Sequence, residues 1–556
     1  GVNFQGRING EGGNVLAAGD LILGGENTFT GDLVVLSGST TTLTGSVDTN
    51  LVFVEPGGEL TLGSAERIAD QSFLEVLGVL NTNETETVEL LSAQGGTING
   101  EGTVTALAYI LDNATVNSNL GSGELVSSGE TYLNGNADAE SVVILGGNLI
   151  VEGALTSNVG GITVEAGTLA ANGTIAAANI DILQGATLNT GEDERLNDGV
   201  ALAADGTVSL GGNETIGDLS GSATGTITNN GNTLTINQTS EQIFDGNLTG
   251  EGDVTKQGEA TLTLGNGSDF TGAANINEGT LTVSGELATN TINVAEEATL
   301  TTTAADLLSA TATVTADGTL NLGGDQTLNN LLGSDTGVVN IGASNLLLTG
   351  GVNFQGRING AGGSVSAGPG DLILGGENTF TGDLVVLSGS TTTLTGSVDG
   401  NVGVNAGGEL VLGSAERIAD GANLNVAGIL NTNGEETVTG FTATGTINGS
   451  GTVSALTTNL NGATVNANLG TGALTSDGDT DLNGTSAADT VTVAGGTLTL
   501  DGALTNNTAT VNVDAGTLAA NGTVAASSVN VAEGATLITR EAERLNDGVA
   551  LNVNGV

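Results

Sequence analysis

The chain contains no cysteine, histidine, methionine or tryptophan, and only 2 prolines. Each absence closes off a class of chemistry. Without cysteine there are no disulfides, thiolate metal sites or sulfur nucleophiles. Without histidine the commonest general base is missing, and neither a Ser-His-Asp nor a Cys-His arrangement can be assembled. Positive charge is nearly absent as well. Lys256 and seven arginines make up 8 basic residues against 62 acidic ones, for a net charge of −54. Such a surface repels nucleic acid and anionic membrane faces, and no basic patch exists that would hold a phosphate backbone. No apolar run approaches the ~18 residues of a transmembrane helix. Gly1 does not open a signal peptide, so export signals are expected outside this segment.

What remains is glycine, threonine, asparagine and aliphatic residues. There are 93 glycines, and hydrophobic residues make up 38% of the chain while aromatics make up only 2%. The aliphatic residues alternate with threonine or asparagine in short bursts: Thr-Leu-Thr-Leu at 261–264 and 497–500, Thr-Leu-Thr-Val at 280–283, and Thr-Leu-Asn-Leu at 319–322. One apolar and one polar residue per step is the period of a half-buried strand. Gly-Gly, Asn-Gly and Asp-Gly pairs between the bursts supply tight turns. Small uniform turns, interchangeable inward aliphatics and the lack of a recurring aromatic anchor favour stacked coils over a string of antiparallel sandwiches. The fold expected is therefore all-β: a parallel β-helix, or solenoid, forming a long rod.

The stretch Gly19–Asp48 returns unchanged at Gly370–Asp399. Arg7, Arg67 and Arg195 recur as Arg357, Arg417 and Arg544, at offsets of 350, 350 and 349. The sequence thus divides into a first long repeat, 1–350, and a partial second copy, 351–556, in one continuous solenoid. At ~20 residues per coil and ~4.8 Å per coil, the first repeat would rise roughly 80 Å and the whole segment about 130 Å.

Leu248–Gly285 reads LTGEGDVTKQGEATLTLGNGSDFTGAANINEGTLTVSG. It resembles the autotransporter-associated β-strand repeat at Thr255, Lys256, Gly258, Thr261–Leu264, Phe270, Thr271, Gly272, Asn277, Gly279, Thr280 and Leu281, with Asp269 in place of the usual Asn. Shorter matches occur at Asn27, Phe29, Thr30 and Gly31, and at Asn378, Phe380, Thr381 and Gly382. Glu194–Gly199 and Glu543–Gly548 resemble that family's linking segment, and Glu66–Asp70 and Glu416–Asp420 are variants of it. The resemblance implies a right-handed parallel β-helix in the secreted passenger region of a large bacterial surface protein. The family's outer-membrane barrel is not in this segment.

Few residues offer chemistry. The densest acid cluster is Glu192-Asp193-Glu194 beside Arg195, and its second copy is Glu541-Ala542-Glu543-Arg544. Because alanine replaces one acid in the copy, Glu194–Arg195 and its equivalents read as structural pairs bracing a turn. Phe29, Phe270 and Phe380 share one motif position, which reads as a core plug rather than a sugar platform. Lys256, the one lysine, is expected to face solvent. Gly323-Gly324-Asp325 is a single fragment of a calcium-binding repeat, so diffuse Ca2+ binding is the most expected of a metal. Threonine rows such as Thr40–Thr44 resemble an ice-binding face, which needs the pair on each successive coil; the spacing here is irregular. No catalytic, cofactor-binding or metal residues are assigned. The function expected is that of a structural or adhesive, non-catalytic segment of an extracellular rod or filament at a bacterial cell surface. Expected partners are further copies, in a fibre or surface layer, or a host or surface glycan; nucleic acid is not among them. The alternative is a polysaccharide-active hydrolase or lyase, which would need carboxylates grouped on one face.

Overall fold

The computed structural model describes residues 1–554, and these hold strands, turns and bends with no helix. Contacts divide the chain into two units, Gly1–Ala288 and Thr289–Val556. Each is a parallel β-solenoid, as the alternation predicts. The boundaries at 350 and 351 mark repetition in sequence, a different property from this division by packing.

In the first unit a 14-stranded sheet runs from Val2–Phe4 to Asn247–Thr249, and a 16-stranded sheet starts at Val15–Ala17. A short third side, beginning with Asn9–Gly10, Glu26–Phe29 and Ser46–Val47, closes the coil. In the second unit a 17-stranded sheet runs from Gln326–Leu328 to Ala550–Val553. Strand pairing is parallel from the first coils to the last in both units.

The bursts read from the sequence are strands in the expected phase. Thr261–Leu264, Thr280–Val283 and Thr497–Leu500 each point their second and fourth residues inward. Stacking then makes ladders of like residues. One runs Val52, Leu74, Leu91, Tyr109, Leu125, Val142, Ile162, Ile180, Leu202 and Leu219, in steps of 16 to 22 residues. Every member is at most 2% exposed. Burying each aliphatic side chain stabilises the stack by about 1.5–3 kcal/mol, offset by the ordering of the chain.

Corners are tight enough to exclude side chains. A Cβ built on Gly173 would run into the carbonyl oxygen of Gly153, and one on Gly153 into that of Gly135. The second unit repeats this column at Gly522, Gly502 and Gly484. Beside each column runs an asparagine ladder. Asn117 and Asn134 donate to the amide oxygens of Asn99 and Asn117 at 2.7 and 2.6 Å. Asn466 and Asn483 do the same to Asn448 and Asn466 at 2.8 and 2.7 Å.

Candidate functional site

The acid–arginine segments are loops with one recurring design. Glu66 and Glu194 in the first unit, and Asp306, Glu416 and Glu543 in the second, all adopt positive φ, between 50° and 62°. Left-handed backbone at a non-glycine residue needs support from its surroundings. For the loops at Glu66, Glu194, Asp306 and Glu416 that support comes from the next coil. The buried carboxylate of Glu86 accepts the backbone N–H groups of Arg67 and Ile68 at 2.8 and 2.7 Å. Glu214 holds Arg195 and Leu196 in the same way at 3.0 and 3.1 Å, and Glu436 holds Arg417 and Ile418 at 2.9 and 2.7 Å. The grip is reciprocal: the hydroxyls of Thr87, Thr215 and Thr437 donate to Glu66, Glu194 and Glu416. Gln326 occupies the matching place over the Asp306 loop, accepting from Leu308 N–H at 3.2 Å and donating to the Leu308 carbonyl at 2.8 Å.

Burial pushes the carboxyls of Glu86 and Glu436 up to about 7, against the pull of the two N–H groups each accepts. Glu214 is raised by the same cause. Such shifts mark either functional or structural groups; here each acid is wholly occupied by a loop it holds. Sequence reading missed these three residues. The signal was available: Glu-Thr-Val, Glu-Thr-Ile or Gln-Thr-Leu follows the loops at Glu66, Glu194, Asp306 and Glu416, with 19 residues from Arg67 to Glu86 and from Arg195 to Glu214.

Two expectations are corrected. Arg195 pairs with Glu192, and Arg544 with Glu541, rather than with the adjacent Glu194 and Glu543. The left-handed turn aims Glu194 at Thr215 instead. Arg67 and Arg417 reach backbone carbonyls, those of Ala65 and Thr44 and of Ala415 and Thr395. Lys256, expected in solvent, is 2% exposed. It stands in a ladder between Ile236 and Ile276, and its ammonium donates to the carbonyls of Gln257, Gly258 and Glu278. Burial lowers its pKa to about 8, opposed by the charge of Glu278.

Phe29, Phe270 and Phe380 are buried in the core. Asp325 of the Gly-Gly-Asp fragment accepts from the backbone and side chain of Asn345. Among the described residues no group of three or more acids converges to hold a metal ion. Thr261 and Thr263 do stack on Thr280 and Thr282, but Thr40 and Thr42 stack on Glu59 and Thr61.

One surface feature occurs twice. In most coils a turn separates the third side from the neighbouring sheet. At Glu86–Gln94 and Thr103–Asp112 a continuous strand rounds that corner instead, and Glu435–Ala443 and Thr452–Asn461 repeat the arrangement. Pairing skips Glu89 opposite Leu107, and Thr439 opposite Leu456. Leu107 and Leu456 are the last outward residues before the break, 73% and 72% exposed, and the phase shifts after them so that Tyr109 and Thr458 face inward. A groove opens at each bend. The first, of about 120 Å³, is lined by Thr87, Thr105, Leu107, Ser122 and Glu140 over a floor of Val88, Ala106 and Gly123. The second, of about 350 Å³, is lined by Thr437, Ser454, Leu456, Thr471 and Asp489, with Asp420 and Thr439 added. Apart from Glu89, which becomes Thr439, the groove positions keep their chemistry from copy to copy while neighbours change: Glu124 becomes Ala473, Ile110 becomes Asn459 and Asp138 becomes Ala487.

Comparison of the chain with family models, with curated proteins and with solved structures finds no match to any of them.

Proposed function

We propose that the chain is a structural and adhesive, non-catalytic segment of an extracellular filament at a bacterial cell surface. The observation that carries this reading is repetition. Both units use buried glutamates to hold the loop of the preceding coil, and both present a matching groove on the outside. Copying multiplies length and binding valence, which suits a scaffold that attaches at several points. The resemblance to the autotransporter-associated β-strand repeat supports the same placement, in a secreted passenger region. Side-by-side assembly of so acidic a chain needs salt or divalent cations to screen it, and diffuse Ca2+ would serve.

Electron microscopy of the isolated protein tests the scaffold. Elongated particles several times longer than wide are expected, and compact ones would overturn it. Incubation with acidic and neutral polysaccharides tests the absence of catalysis. Sustained release of reducing ends would replace this reading with that of a glycan-cleaving enzyme.

A further inference from the structure

We propose that the paired bend grooves are docking sites for lysine or arginine side chains on a basic segment of a partner protein. The proposal gives the adhesive role a partner class and rests on that reading. Its chemistry comes from the groove walls. Leu107 and Leu456 are the most exposed leucines among the described residues, and folding gives no reason to keep either one outside. Among the described residues, the hydroxyls of Thr105 and Ser122 in one groove, and of Ser454 and Thr471 in the other, have no hydrogen-bond partner. Glu140 lies exposed at the edge of the first groove without an ion pair, and Asp489 takes the same place in the second. Asp489 accepts one hydrogen bond, from Asn506 at 3.0 Å, on one of its two oxygens.

A leucine beside acceptor oxygens and a carboxylate matches a long basic side chain. The methylene stem lies along the leucine, and the charged head donates to the hydroxyl and carboxylate oxygens. No arginine or lysine of the chain lines either groove, so their charge is unanswered from within. A second copy is a poor occupant, because it brings 62 acids and 8 bases to an acidic surface. A neutral glycan finds no aromatic side chain in either lining on which to stack. The copies also drifted selectively. Thr105 became Ser454, Ser122 became Thr471 and Glu140 became Asp489, each keeping its functional group, and the exposed leucine did not change.

The test uses the full chain at physiological salt, titrated with a fluorescent lysine–threonine peptide. A glutamate–threonine peptide and a neutral oligosaccharide serve as rivals. Saturable binding of the basic peptide at two sites is expected. The double variant Leu107→Ser/Leu456→Ser should weaken it by about tenfold, with an unchanged circular dichroism spectrum because both leucines are outside the core. Glu140→Gln with Asp489→Asn should weaken it and flatten its salt dependence. Affinity untouched by the leucine changes would reduce the effect to diffuse attraction and overturn the proposal. Preference for the oligosaccharide would overturn it too. A peptide carrying a photo-crosslinker on the unaltered chain gives a second reading: adducts must map to the two bends, and adducts spread over the surface would sink the site. Failure here with elongated, non-cleaving particles leaves the scaffold reading standing.

Discussion

The corner at Tyr109 and the corner at Thr458 are built to one plan with different interiors. In the first unit Leu91 stacks under Tyr109, and in the second Phe441 stacks under Thr458. The aromatic ring has moved by one coil, and all four side chains remain buried. Tyr109 also braces the groove floor. Its hydroxyl accepts from Ala106 N–H at 3.0 Å and lies within hydrogen-bond reach of the carbonyls of Val104 and Ser122. Thr458 is too short for that reach, and the second groove has the larger volume. Cores tolerate such exchanges when volume is roughly kept. The difference teaches that the interior was free to be rebuilt while the leucine, the hydroxyls and the carboxylate of the groove were held.

The most disruptive way to test that comparison is to transplant one interior residue alone. Tyr109→Thr, giving the first corner half of the second one's packing, should cost about 3–5 kcal/mol in urea denaturation of the full chain. Adding Leu91→Phe should recover about 1–2 kcal/mol of it, because the pair is in contact. Additive costs would show that the two interiors are not exchangeable solutions to one problem.

The glycine columns should fail alike in both units. Gly153→Ala and Gly502→Ala each force a methyl group against a neighbouring carbonyl, so a loss of about 2–4 kcal/mol is expected from either. A tolerant member of the pair, found by thermal melting, would mean the coils there can part.

The buried acids give both units the same pH response, and Gln326 is the exception. Glu86 and Glu436 titrate near 7 in the fold, against an ordinary value of 4.5. The folded chain therefore holds their protons more tightly than the unfolded chain does. Their contribution to stability is fully present below 4.5 and is lost as pH rises through 7. Gln326, in the corresponding place, does not titrate. Glu86→Gln and Glu436→Gln should each flatten the decline between about pH 4 and pH 8 by about 1–3 kcal/mol. Denaturation midpoints across that range check it, and an unaltered slope would refute it. The smallest effect is expected from Arg195→Ala and Arg544→Ala, whose glutamate partners are largely exposed. Each should change stability by ~0–1 kcal/mol.

Much of this fold could be read before any coordinates. Thr-Leu-Thr-Leu fixes which residues face inward, and uniform glycine turns leave room only for stacking. The phenylalanines at 29, 270 and 380 were legible as core because one motif position repeats them. Lys256 was not, because a charged residue on an alternating strand is assigned outward by default, and only the carbonyls around its ammonium make the inward place tolerable. Glu86, Glu214 and Glu436 were hidden for the same reason. Their role depends on which loop lies beneath them, which is a matter of register rather than composition. The grooves were least visible of all. Leu107 is outward in the phase set by Val104 and Ala106 but inward in the phase set by Tyr109 and Leu111, and only the skipped pairing shows where the phase changes.

The loop latches all run in one direction along the chain. Arg67 and Ile68 are secured by Glu86, which arrives 19 and 18 residues later in the chain. Each of these turns is thus fastened by a residue that follows it in the chain. Such a stack is built like a ratchet with its pawl one tooth ahead. Excising a coil would free the turn that precedes the cut, on the side where no residue had been touched.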